Sequence, residues 1–168
     1  TCTIGTYPTI TAATGYSAST WYDSTANKDT GIGSGGSGSS YEIGQTTTMT
    51  AQAAINSYSY DVNPDSGIES FDISGAVNPA TGLNGYSHEN PYGQEITITN
   101  VKAKTGYTYT GYTLSGSLTE ISGSTNATIK TKLGAGNGAI ALNSTINSYT
   151  VTYDANGGNS ISPSSASV

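Results

Sequence analysis

The sequence predicts a mainly β fold built from small tandem modules, with little or no helix. Three observations predict it: a composition rich in Thr, Ser, Gly and Tyr, apolar residues that alternate with polar ones, and motifs that recur 91 residues apart. β-branched and aromatic side chains suit a pleated surface with one wet face, so 27 Thr and 13 Tyr favour strands. Only 25 residues are Ile, Leu, Val or Phe, so the aromatic rings must supply much of the core.

The charge balance excludes several classes of function. The 168 residues contain five Lys, no Arg and a net charge of −6, which argues against a surface that neutralises a row of nucleic-acid phosphates. No apolar run approaches the roughly 20 residues that span a bilayer, so we expect no membrane insertion in this segment. Only 10% of residues are charged, which favours an ordered chain over a disordered one.

A repeat organises the chain. Gly15-Tyr16 recurs as Gly106-Tyr107, and Asn56-Ser57-Tyr58 recurs as Asn147-Ser148-Tyr149, both at an offset of 91. Such self-similarity is typical of tandem modules that contact mainly their neighbours. Between these anchors Thr46–Ala51 resembles residues 126–131 at an offset of 80, which predicts that the two copies differ by compensating insertions.

The repeat divides the chain into three parts. Residues 1–55 form an incomplete first module, residues 56–146 a complete module, and residues 147–168 the opening strand of a further module. Two explanations are open. Either the sequence is a window of a longer tandem array, or the last part completes the first part of a neighbouring molecule.

Alternation places the strands along the chain. Successive side chains of a strand point to opposite faces, so apolar residues two positions apart indicate a half-buried strand. The alternating sets are Tyr58, Tyr60 and Val62; Ile96 and Ile98; Tyr107 and Tyr109; and Tyr149, Val151 and Tyr153. Residues 154–158, Asp-Ala-Asn-Gly-Gly, predict a tight turn. A short helix near residues 139–143 is the best helical candidate.

The motifs resemble a known family. Residues 149–158 resemble the opening strand and turn of the Listeria–Bacteroides repeat, the internalin-B-type B repeat. Residues 106–112 and 15–22 resemble its Gly-Tyr segment, and residues 46–52 resemble its closing strand. The resemblance implies a β-grasp-like fold and tandem use in bacterial cell-surface proteins, as an extracellular spacer, adhesin, stalk or fibre. The family brings no catalytic residues.

One acidic segment resembles a calcium loop. Asp61, Asn63, Asp65 and Asp72 fall at positions one, three, five and twelve of a twelve-residue loop. Calcium takes six to eight oxygen ligands, and this spacing lets one loop direct several of them at one ion. The simpler interpretation is an acidic turn, because Ser66 replaces the usual Gly and neither flank has a helical pattern.

Exposed Tyr rings support an alternative function, a module that binds carbohydrate or protein. Tyr41, Tyr86 and Tyr92 lie in irregular stretches and are the candidates for ligand contact. With a single His and no paired carboxylates or metal cluster, we expect no enzyme and no cofactor. The leading expectation is a structural repeat whose partners are adjacent repeats or copies of itself, linked by addition of the strand containing Tyr149, Val151 and Tyr153.

Overall fold

The computed structural model describes residues 2–75, 86–158 and 162–167, and these residues form strands and turns with no helix. The mainly β prediction is confirmed. The first part of the chain contains β1 (Cys2–Thr6), β2 (Tyr16–Asp23), β3 (Lys28–Gly33), β4 (Ser37–Ile43) and β5 (Met49–Ile55). The second contains β6 (Ser57–Pro64), β7 (Ile68–Ser74), β8 (Tyr86–Pro91), β9 (Glu95–Ala103), β10 (Tyr107–Glu120) and β11 (Thr128–Ile146). The last contains β12 (Thr150–Thr152) and β13 (Ser165–Ser167).

The largest sheet draws its strands from residues 57–146. Its order is β7-β9-β11-β6-β8, and β10 pairs with β11. The 19-residue β11 organises this sheet: β10 runs antiparallel along it, β9 pairs with its first part, and β6 pairs in parallel with residues 138–142. The first and last strands of the complete module are therefore direct neighbours.

The core lies along these central strands. The alternation in β6 and β9 directs Tyr60, Val62, Ile96 and Ile98 inward, and all four are fully buried. They pack in one cluster with Ile68, Leu118, Ile129, Leu133, Ile140 and Leu142. Burial of such side chains is the main favourable contribution to folding, at about 1.5–3 kcal/mol each.

Residues 2–55 form two smaller sheets, β1-β4 and β3-β2-β5. Their core is thin. Among the described residues of this part, only Tyr7 and Ile32 are buried hydrophobic residues, and Trp21 packs near Tyr7 with a centroid distance of 6.3 Å.

The last part is a short hairpin in which Val151 faces Ala166. The predicted turn is present: Asn156 and Gly157 have φ of 43° and 88°, and the Gly158 amide donates to the Ala155 carbonyl. Tyr149, Val151 and Tyr153 remain 40–57% exposed.

Two predictions are wrong. Residues 139–143 lie within β11, where Ile140 and Leu142 alternate toward the core. The predicted offset of 80 is also wrong. Met49 pairs with Asp23, and the equivalent residues Ile140 and Leu114 pair with each other. The structural offset there is 91 (140 − 49), so strand register overrides the local similarity of Thr-rich letters.

Candidate functional site: the module junctions

The 91-residue repeat is a repeat of geometry. Tyr16 faces Ile55 across β2 and β5, and Tyr107 faces Ile146 across β10 and β11. Each residue of the second pair lies 91 positions after its counterpart in the first. The same offset holds for all the paired residues of β2 and β5. Each pair of strands ends at a junction, where the chain leaves one module for the next.

The first junction is fixed by Asn56. Its amide donates to the Gly15 carbonyl at 2.9 Å, and its Oδ1 accepts a hydrogen bond from Ser17 Oγ at 2.7 Å. Its Nδ2 donates to the Tyr58 hydroxyl at 3.4 Å. One side chain thus connects the β2–β5 strand pair of the first module to the opening strand of the second.

The second junction repeats these three bonds. The Asn147 amide donates to the Gly106 carbonyl at 2.8 Å, and Asn147 Oδ1 accepts from Thr108 Oγ1 at 2.6 Å. Its Nδ2 donates to the Tyr149 hydroxyl at 3.2 Å. The role of these Asn side chains was missed in the sequence, although the recurring Asn-Ser-Tyr motif was the signal for it.

The equivalence extends to the start of the chain. Ile4 faces Tyr41 across β1 and β4, and Glu95 faces Lys132 across β9 and β11, again 91 positions later. Residues 2–55 therefore follow the arrangement of residues 93–146. In these terms β4 and β5 together correspond to β11, interrupted between Ile43 and Met49.

The two junctions differ in what covers them. At the first, the Tyr92 ring packs directly on Gly15 and lies edge-on to Tyr16, with centroids 6.1 Å apart. The Tyr92 amide also donates to the Asn56 carbonyl at 2.8 Å. At the second, nothing among the described residues lies within 4 Å of a Cβ built on Gly106.

The large hydrophobic side chains that stay exposed are concentrated at the junctions and beyond the second one. Ile146 is 71% exposed. Among the described residues, the others are Tyr16, Ile55, Tyr149, Val151 and Tyr153. None of them lies between residues 57 and 145. The described residues of the complete module therefore leave no large hydrophobic side chain exposed before Ile146, whereas such side chains are exposed at the second junction and in the strand after it.

The predicted metal ligands are not brought together. Asp61 and Asn63 are exposed on β6, and Asp61 faces Ala139 of β11. Asp72 lies on β7 opposite Thr99, which faces residue 128 of β11. Asp61 and Asp72 are thus level with positions of β11 that lie 11 residues apart (139 − 128), and a strand rises about 3.3 Å per residue. In the described part of the chain, no three His, Cys, Asp or Glu residues form a group suited to a metal.

Asp65 instead holds a turn against β11. Its carboxylate accepts hydrogen bonds from the Gly67 amide at 2.8 Å, the Ser144 amide at 2.5 Å and the Ser144 hydroxyl. The Ser144 hydroxyl bond is the largest cause that lowers the pKa of Asp65, since each donor favours the charged form. Asp72 is bonded to Asn100 Nδ2 at 2.6 Å.

The candidate ligand-binding Tyr residues have three different environments. Tyr92 contacts the first junction. Tyr41 is half-buried and donates to Asp23 Oδ2 at 3.1 Å, and the Lys28 ammonium lies 5.8 Å from its ring centroid. Tyr86 begins β8, and its side chain lies outside the part that the structure describes.

Tyr41 lines a cavity of about 280 Å³ beside the interruption between β4 and β5. Its wall includes Asp23, Glu42, Gln45 and Thr47. A hydrogen bond from Thr47 is the largest cause that lowers the pKa of Asp23, and the amides of residues 25 and 26 add to it. The cavity therefore combines one aromatic ring with charged and polar groups.

Comparison with known proteins finds no family model, no curated protein and no solved structure that matches the chain. The resemblance to the Listeria–Bacteroides repeat, with its β-grasp-like fold, thus stays a prediction. Within the described residues, no helix has the length and apolar character needed to cross a membrane.

Proposed function

We propose that the chain is a non-enzymatic structural repeat of an extracellular bacterial surface adhesin, stalk or fibre. The observation that carries the proposal is the junction, which repeats the same hydrogen bonds 91 residues later. A protein that extends by adding identical units needs such a constant connection between them. The composition, rich in Thr and Ser and with only 10% charged residues, is suited to a protein with a mechanical role.

The position of β6 supports this proposal. Force applied through the junctions pulls β6 at its N-terminal end and β11 at its C-terminal end. Because the two strands are paired in parallel over residues 60–64 and 138–142, this force shears all their hydrogen bonds together. Shearing several bonds at once requires more force than opening them in succession.

Single-molecule force spectroscopy of the full chain tests the proposal. We expect the complete module to unfold at a higher force when it is pulled through the chain ends than when it is pulled through cysteines at Thr108 and Thr145, which face each other near the open end of the β10–β11 pair. The second geometry opens the β10–β11 pair from that end, one bond after another. Both variants carry Cys2→Ser. Equal forces in the two geometries would contradict a mechanical role.

A disulfide between Asp61→Cys and Ala139→Cys identifies the unfolding event of the complete module. It bridges paired positions of β6 and β11 that lie 78 residues apart along the chain (139 − 61). At about 3.5 Å per residue, the oxidised variant should lose roughly 27 nm of unfolding extension, and reduction should restore it. An unchanged extension in the oxidised variant would show that the measured event is not the unfolding of this module.

The cavity at Tyr41 favours a second function, a module that binds carbohydrate. An aromatic ring next to acidic and amide groups is a common way to recognise a sugar. On a glycan array, Tyr41→Ala and Glu42→Gln should each abolish a signal that Tyr92→Ala retains. If the parent chain bound no glycan on the array, this function would be contradicted.

A further inference from the structure

We propose that residues 151–155 of one copy of this chain add to the edge of β5 in a second copy, in parallel, with Tyr153 opposite Met49. The inference rests on the proposed linking function and names its partner. The partner surface is defined as the acceptor edge, residues 47–51. The donor is the strand that follows the second junction.

The acceptor edge is not paired with any strand that the structure describes. Among the described strands β5 pairs only with β2, so its other side presents unpaired backbone groups. Such an edge is a template for a further strand. In the complete module, the equivalent side of β11 carries β6. Among the described strands, none takes the place on β5 that β6 takes on β11.

The repeat gives the register directly. In the complete module Tyr60 faces Gly138 and Val62 faces Ile140. Adding 91 to the first member of each pair gives Val151 and Tyr153, and subtracting 91 from the second gives Thr47 and Met49. The intermediate pair, Asp61 with Ala139, becomes Thr152 with Thr48.

The side chains of the donor fit this role. Tyr60 and Val62 are fully buried in the complete module, whereas their equivalents Val151 and Tyr153 are 40% and 48% exposed. Addition to a second copy would bury both of them. Asp61 is exposed, and its equivalent Thr152 is also exposed, so the polar position again faces solvent.

The acceptor edge differs from β11 at the same place in the repeat. β11 is continuous through residues 138–142, where β6 pairs with it. The equivalent stretch of the first module is the interruption between Ile43 and Met49. Tyr41, Ile43 and Thr47 line the cavity beside this interruption. A donor strand would pair with this stretch and extend β5 toward β4.

Little structure must be lost to release the donor. β12 and β13 are three residues each and pair with each other only, as far as the structure describes them. An isolated two-stranded hairpin is marginally stable in water. The composite module, made of residues 2–55 of one copy and the donor strand of another, would lack equivalents of β7 and β8, which lie at the two ends of the strand order.

Matched lysine variants test the burial that the register predicts. Val151→Lys places a charge at a position equivalent to buried Tyr60, and Thr152→Lys places it at a position equivalent to exposed Asp61. In sedimentation and light scattering, the parent chain and Thr152→Lys should form oligomers that grow with concentration, whereas Val151→Lys should associate at least tenfold more weakly. A parent chain that stays monomeric, or equal association of both variants, overturns the proposal.

Cross-linking tests the register itself in a Cys2→Ser background. Chains with Thr152→Cys, mixed with chains with Thr48→Cys, should form disulfide dimers because parallel neighbours lie about 4.8 Å apart. Chains with Ala54→Cys provide the control, since this residue lies six positions farther along the same strand (54 − 48). Equal yields with Thr48→Cys and Ala54→Cys would overturn the stated register.

These outcomes are separable from those of the proposed function. A monomeric chain that resists force through its ends retains the mechanical role and loses strand addition. A chain that assembles in register but unfolds at equal force in both pulling geometries retains strand addition and loses the mechanical role.

Discussion

Gly15→Ala should open the first junction, and Gly106→Ala provides a matched control. The two glycines have nearly the same backbone conformation, with φ of +82° and +85°. They differ in what an added methyl group would meet. A Cβ on Gly15 would lie 2.5 Å from Tyr92 Cδ2 and closer still to Cγ and Cδ1, whereas a Cβ on Gly106 would meet nothing within 4 Å.

The expected magnitude follows from this difference. Both variants place Ala in a left-handed conformation, which costs about 1–2 kcal/mol. Only Gly15→Ala forces the near end of the Tyr92 ring to move, and overpacking of this kind costs about 1–3 kcal/mol. The difference between the two variants should therefore be about 1–3 kcal/mol.

Hydrogen exchange measures the free-energy cost of each substitution at the junction where that glycine lies. The Asn56 amide is bonded to Gly15 and the Asn147 amide to Gly106, so their exchange rates report the opening of equivalent bonds. We expect Gly15→Ala to accelerate Asn56 exchange about 5- to 150-fold more than Gly106→Ala accelerates Asn147 exchange. Tyr92→Ala in the Gly15→Ala background should remove this excess. Equal acceleration in both variants, or an excess that survives Tyr92→Ala, would refute the packing argument.

Three further outcomes are expected. Tyr60→Phe should leave the free energy of unfolding within about 1 kcal/mol of the parent's or raise it, because the buried Tyr60 hydroxyl has no hydrogen-bond partner in the described structure and burial raises its pKa to about 12. Tyr112→Phe should instead lower the free energy of unfolding by about 1 kcal/mol, because it removes the bonds to Glu120 and Ser124. Urea titration of the two variants and the parent measures the difference. Asp65→Asn should lower the urea midpoint at pH 7. The folded pKa of Asp65 lies below its ordinary value of 3.8, so its contribution is complete well above pH 3.8 and is lost as pH falls below it, and the difference from the parent should shrink at pH 3. Ile140→Ala should cost about 2–5 kcal/mol by thermal or urea unfolding, and exposed Ile146→Ala less than about 0.5 kcal/mol.

Local pattern predicts the strands well and their partners poorly. The alternation of Tyr60 with Val62 and of Ile96 with Ile98 predicts which faces are buried, because a strand repeats every two residues. Nothing in that pattern shows that β6 runs parallel to β11, because the two strands are joined by long-range pairing across most of the module. Parallel neighbours need a crossover connection, which a period-two pattern does not reveal.

The junctions were predicted only in part, for a similar reason. The recurring Gly-Tyr and Asn-Ser-Tyr motifs are short, but their spacing is the same as that of the strand pairs. The Thr-rich segment that begins at residue 46 predicts the wrong offset, because many Thr-rich segments resemble one another. Register is fixed by which side chains must be buried, and Met49 and Ile140 occupy the same place in it.

The two unequal cores imply that the chain unfolds in steps. The described residues of the complete module bury ten hydrophobic side chains in one cluster, whereas those of the first part bury Tyr7 and Ile32. A smaller buried area gives a smaller free energy of unfolding, so residues 2–55 should open before residues 57–146 and a single two-state transition should not describe the whole chain. Addition of the donor strand would bury Val151 and Tyr153 against the weaker part. Assembly would therefore raise the stability of residues 2–55 selectively, and the gap between the two unfolding transitions should narrow as protein concentration rises.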